Sequence, residues 1–174
     1  MMTKASYSLS ELNVATPADF VAALGDVLEH APWAAATAAA SRPFASVEAL
    51  HHALMQAVHD ASHEKKLAFI RGHPELAGKT GGPMTDASTA EQGSRGLDRL
   101  SEQEFARFAR LNQAYRARFG FPFIICVRRH TRHDILREFE RRRGNDAPTE
   151  LATALVEISH IARLRLAAKL GEPA

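Results

Sequence analysis

One stretch of this sequence reads as extended backbone: Phe121-Pro-Phe-Ile-Ile-Cys-Val127, which is short, apolar, β-branched and interrupted by a proline. A strand needs a neighbour to pair its N–H and C=O groups, and no second segment of this character occurs. A sheet is therefore excluded, and the segment is expected to be buried, irregular backbone. The rest of the chain follows the helical period. The expected fold is all-α, a single domain over residues 1–174 built as a bundle of about seven to eight helices, with one long loop and this short extended segment.

Local signals set the helix ends. Ser8 to Asn13 reads as one short helical turn. Thr16 caps a helix with Pro17 in the first position, where proline is favoured, and its apolar face is Phe20, Val21, Leu24, Val27 and Leu28. Pro32-Trp33 opens an alanine-rich helix that closes before Pro43. Ser46 caps a long helix with Leu50, Leu54, Ala57 and Ala61 on one face, continuing with a break towards Gly72. Ser101-x-x-Glu104 is a capping box for a helix that ends at Gly120. Helix returns from about Thr131 to Arg143, and the last runs from Pro148 to Leu170, burying Leu151, Leu155, Ile158, Ala162 and Leu166.

The candidate chemistry lies in Gly72 to Gln92, GHPELAGKTGGPMTDASTAEQ. A loop that long inside a helical domain is usually functional or disordered. It opens with His73, a group able to give or take a proton near neutral pH, and Pro74 restricts how the histidine leaves the chain. It closes on Ser88-x-x-Glu91-Gln92. That spacing is a capping box and reads first as a helix seal, although a helix N-terminus also offers N–H groups to an anion or carbonyl. Arg165 falls within or beside the apolar stripe of the last helix, so it needs a partner: an internal carboxylate or an anionic ligand. Arg163 points to the polar side. Gly72 to Thr80 imitates a phosphate-binding loop, but five residues separate Gly72 from Gly78 where the motif needs four. His52, His59 and His63 lie at helical spacing without a metal-site pattern, and a solvated face accounts for them.

A net charge of +2 does not call for nucleic acid. The arginines at 128, 129, 132 and 141–143 read as solvated clusters. Cys126 is the single cysteine, which leaves no disulfide framework. The first residues lack a signal-peptide core, and no apolar run reaches a membrane span. A cytoplasmic, reducing compartment is expected.

Taken together, Leu12-Asn13, His30-Ala-Pro-Trp33, Gly72-His-Pro-Glu-Leu-Ala-Gly78, Ser88-x-x-Glu91-Gln92, Phe119 to Arg128 and Ile161 to Leu166 resemble the 2-oxo-4-hydroxy-4-carboxy-5-ureidoimidazoline (OHCU) decarboxylase family. Their order covers nearly the whole chain. Arg95 departs from the pattern, which has a small residue after the Glu-Gln pair. The resemblance implies an all-helical enzyme of urate breakdown that acts on a small ureide, uses no metal or organic cofactor, and is commonly a homodimer. It implies His73 as the catalytic acid/base, shared with Glu91. It implies a substrate lining of Pro74, Ser88, Thr89, Ala90, Glu91, Gln92, Phe123, Ile124, Ile125, Cys126 and Val127, completed by Arg165. The backbone groups of the extended segment, otherwise unpaired, would meet the ureide. Two other readings remain at this point: a hydrolase of a related cyclic ureide, and a non-enzymatic helical interaction module.

Overall fold

The computed structural model describes residues 6–78 and 84–172. Lys79 and Thr80, of the loop that imitates a phosphate site, lie outside the described residues. Those described form nine α-helices and no strand. The helices are α1 (Leu9–Val14), α2 (Pro17–Leu24), α3 (Pro32–Ala38), α4 (Val47–His59), α5 (His63–Arg71), α6 (Asp86–Gly93), α7 (Glu102–Phe119), α8 (Arg132–Arg142) and α9 (Ala147–Leu170). None is long and apolar enough to cross a membrane.

The starts obey the local rules. Ser8, Thr16, Ser46, Ser101 and Thr131 each accept a bond from a backbone N–H of the first turn, satisfying a donor that the helix itself leaves unpaired. Glu11, Glu104 and Asp134 bond back to their caps. Bonds from Ser101 and Thr131 hold the Glu104 and Asp134 carboxyls below their ordinary range. Gly120 ends α7 at φ 74°, a left-handed turn that glycine adopts without steric cost.

The chain divides into two compact units, residues 1–69 with 159–174, and residues 70–158. In the first, α2, α3 and α4 pack together. Phe20 stacks on Phe44 with ring centroids 6.2 Å apart, and Trp33 meets Phe69 edge-on. The Arg42 guanidinium lies over Phe20 and donates to the carbonyls of Leu12, Ala15 and Ala39. It thereby ties the chain after α3 to the end of α1. Val27 and Leu28 are buried as expected, but in the turn beyond α2.

Tyr115 centres the second unit. Its ring makes edge contacts with Phe121, Phe123 and Phe139, and Phe123 lies flat on Phe139 at 3.9 Å. Beneath this cluster the run of arginines departs from the solvated reading. Arg142 is 1% exposed and Glu150 is fully buried, with Arg142 Nε and Nη2 at 2.9 and 2.5 Å from Glu150 Oε1. Arg142 shares its helix face with Ile135 and Phe139, so α8 cannot bury those two side chains without burying the arginine. Glu150 also accepts bonds from Tyr115 Oη and Asn145 Nδ2. Burial and the bond to Glu150 push the Tyr115 phenol well above its usual range. On α9 the apolar positions buried to 1% exposure or less are Ala154, Ile158, Ala162, Leu166 and Ala167. Leu151 and Leu155 are half-buried, so the stripe is turned from the one expected and takes in Glu150.

Candidate active site

Three parts of the second unit are tied together around the His-Pro loop. His73 follows α5, and its N–H donates to the Ile70 carbonyl. Downstream, three consecutive loop residues are gripped by side chains. Gln92 Oε1 accepts the Ala77 N–H at 2.9 Å, and Gln92 Nε2 donates to the Glu75 carbonyl at 3.3 Å. Asn112 Nδ2 donates to the Leu76 carbonyl at 2.9 Å. The Glu75 carboxylate meets Arg116 at 2.8 Å. Ala77 is held at φ 52°, a left-handed conformation that costs a non-glycine residue roughly 1–3 kcal/mol and persists only where its surroundings over-determine it.

Ser88-x-x-Glu91 is not a cap. Thr85 caps α6 by accepting from the Ser88 N–H, so Ser88 and Glu91 both sit inside the helix. The hydroxyl of Thr85, with Asp86 in the first turn, offers the same cap chemistry three residues earlier. Within α6, Ser88 and Gln92 are buried, Glu91 is half-buried, and Thr89 and Ala90 are exposed. Burial first, then Glu157 and Glu91, raise the Cys126 thiol above its usual value.

The segment Phe121 to Val127 is buried and irregular, as expected. The expectation that its backbone groups are unpaired is corrected. Ile124 C=O accepts from Arg142 at 2.8 Å, Cys126 N–H donates to the Glu157 carboxylate at 2.8 Å, and Val127 C=O accepts from Arg95 Nε at 3.1 Å. Arg95 also donates to the Arg128 carbonyl. The residue that departs from the family pattern thus couples the chain after α6 to the end of this segment. Irregular backbone removed from water must find partners, and here charged side chains supply them.

In the first unit, Arg165 is 8% exposed and meets the buried Glu29 at 2.9 Å. That carboxylate is the internal partner foreseen for an arginine in an apolar stripe. Arg163 is half-buried and pairs with Glu48 and Glu172. Of the histidines considered for a metal, His59 bonds Asp60 on the surface, and among the described residues no three ligating side chains converge.

A cavity of about 430 Å³ borders the gripped loop and is lined in part by Ala77, Thr89, Gln92 and Phe105. A larger one of about 710 Å³ in the first unit, with Trp33, Phe44, His52 and Lys65 on its walls, contains none of the anticipated site residues.

The sequence reading did not single out Asn112, Glu157, Glu29 or Glu150. Two of these, Asn112 and Glu150, carried a signal, and so did Arg142 within its run of arginines. Asn112 follows Phe108 and precedes Tyr115 on one face of α7, Glu150 precedes Ala154 and Ile158 on α9, and Arg142 follows Phe139 on α8: each is a polar group at an apolar position. Asn112 Oδ1 is moreover buried with no hydrogen-bond partner among the described residues, an arrangement that forfeits roughly 1–3 kcal/mol.

A family model described as OHCU decarboxylase matches residues 13–167. The chain is 46% identical to a 2-oxo-4-hydroxy-4-carboxy-5-ureidoimidazoline decarboxylase of Haloferax volcanii, over 94% of this chain and 96% of that one. It is 42% identical to the protein of the same name from Halalkalicoccus jeotgali, over 91% and 89%. Among solved structures, an (S)-allantoin synthase superposes with a TM-score of 0.73 at 28% identity, covering 94% of this chain and 54% of that one. The chain therefore spans about half the length of that structure.

Proposed function

Since the chain belongs to the OHCU decarboxylase family, a family of carboxy-lyases, we propose that it converts 2-oxo-4-hydroxy-4-carboxy-5-ureidoimidazoline to (S)-allantoin and CO2 in urate breakdown. The observation that carries this is the match over residues 13–167, which includes the His-Pro loop, α6 and the extended segment.

The substrate supplies its own electron sink. Its carboxylate leaves a carbon next to a ring C=N, so the electron pair of the breaking C–C bond moves into that C=N as its nitrogen takes a proton. The resulting enol becomes a carbonyl when its O–H proton leaves and a proton is added to the neighbouring carbon. What the protein must supply is proton traffic and orientation, with no metal or organic cofactor. His73 is the acid/base, and Glu91 shares the proton transfers. Pro74, Ser88 to Gln92 and Phe123 to Val127 line the ligand. The tight packing of the extended segment supports this reading, since a lining has to be rigid to direct protonation to one face. We further propose that the enzyme is a homodimer of the cytoplasm, where a lone cysteine stays reduced. The test is to feed freshly generated substrate and follow allantoin formation and its chirality. Racemic product at the uncatalysed rate overturns the proposal.

Two predictions separate chemistry from structure. Glu91 lies inside α6 and not at its cap, so Glu91→Gln is expected to melt normally while losing activity. A fully active variant assigns the carboxylate to structure. Arg165→Lys keeps a cation opposite Glu29 but loses the planar fork that can grip a carboxylate or ureido carbonyl. It is expected to stay folded and lower kcat/KM, whereas Arg163→Lys does almost nothing. Unfolding of the first variant, or like behaviour of both, makes Arg165 a structural partner of Glu29.

A further inference from the structure

We propose that Asn112 is a positioning residue, which fixes the backbone of the His-Pro loop so that His73 is presented in one place. This rests on the role given to His73 above. His73 is tethered upstream by its N–H to Ile70. Downstream comes Pro74, whose ring removes the φ freedom and restricts the histidine before it. The next three residues are pinned by Gln92 and Asn112, at Glu75 C=O, Leu76 C=O and Ala77 N–H. Few soft torsions then remain between the pinned backbone and the histidine. The middle contact is the one made from another helix: Asn112 stands on α7, the longer support, whereas Gln92 belongs to the chain that the loop itself leads into.

Asn112 is not explained by packing. It occupies a buried stripe between Phe108 and Tyr115, where a leucine, branched at the same atom although larger, would bury without an unsatisfied oxygen. Its amide cannot be turned over, because Oδ1 would then face the Leu76 carbonyl, acceptor against acceptor. The donor end works while the acceptor end has no partner among the described residues. Such a residue is kept for the one bond it donates. The bond also helps hold Ala77 in its left-handed conformation, from which a released loop would relax.

The test pairs Asn112→Leu with His73→Asn and combines the two. Asn112→Leu is expected to melt within a few degrees of the parent and lose on the order of 10–100-fold in kcat, the scale of a misplacement near 1 Å, with KM changed much less. In the His73→Asn background it is expected to cost almost nothing more, because both losses act through one group. Backbone amide exchange, read by mass spectrometry over the loop peptide, should speed up around Leu76 and Ala77. If Asn112→Leu does not fold, Asn112→Ala takes its place in every arm. Multiplying losses in the double variant, unchanged exchange, or full activity despite faster exchange overturns the proposal. Should His73→Asn alone prove active, the reading of His73 fails; a loss confined to Asn112→Leu then shows that the bond serves another group, which overturns the proposal separately.

Discussion

Replacing His73 by asparagine is expected to lower kcat by roughly 10²–10⁴-fold, the span of general acid–base catalysis, with the melting temperature nearly unchanged. Asparagine fills similar space and still hydrogen-bonds, but it cannot carry a proton near neutral pH. The tethers on either side of His73 are made by backbone and by other side chains, so the loop should keep its course in the variant. KM should move little if the histidine acts mainly on the transition state. Near-normal turnover would remove His73 from the mechanism and leave the proton transfers to other groups of the site.

The second large effect is on folding. Glu150→Ala is expected to cost about 3–5 kcal/mol, because it leaves the Arg142 charge buried without its partner. For a domain of this size that is a fall of roughly 10 °C, at about 2–4 °C per kcal/mol. Denaturant midpoints with an unchanged slope would measure it. The joint change Arg142→Met with Glu150→Leu should recover much of the loss, since two buried ions are exchanged for apolar volume. The contrasting pair is Arg107 and Glu140, 2.6 Å apart but each about half exposed, where Glu140→Ala should cost under about 1 kcal/mol. If the two substitutions cost the same, the buried pair is not what holds this unit together.

The helix ends were legible because capping is local: Ser8, Thr16, Ser46, Ser101 and Thr131 each satisfy a donor within three residues in sequence. The same economy misleads at α6, where two overlapping cap patterns compete and Thr85 takes the position assigned to Ser88. Irregular backbone at Phe121 to Val127 followed from the lack of a partner strand. Its pairing with Arg142, Glu157 and Arg95 did not, because those contacts join residues 18 to 32 positions apart. The buried charges were half legible. Arg142 sits at helical spacing from Ile135 and Phe139, yet two neighbouring arginines made it look like part of a wetted run. Arg165 was recognised as needing a partner, but nothing local identifies Glu29, 136 residues away.

Cys126 draws together a different consequence. Its sulfur is almost fully enclosed, and burial with two nearby carboxylates keeps the thiol protonated. Only the thiolate attacks peroxides, disulfides and alkylating agents, so this one free thiol is shielded from them while the fold is intact. Reaction at Cys126 must wait for the segment around it to open. The residue is therefore a built-in clock: how fast it takes up a thiol reagent records how often the wall of the candidate site comes apart.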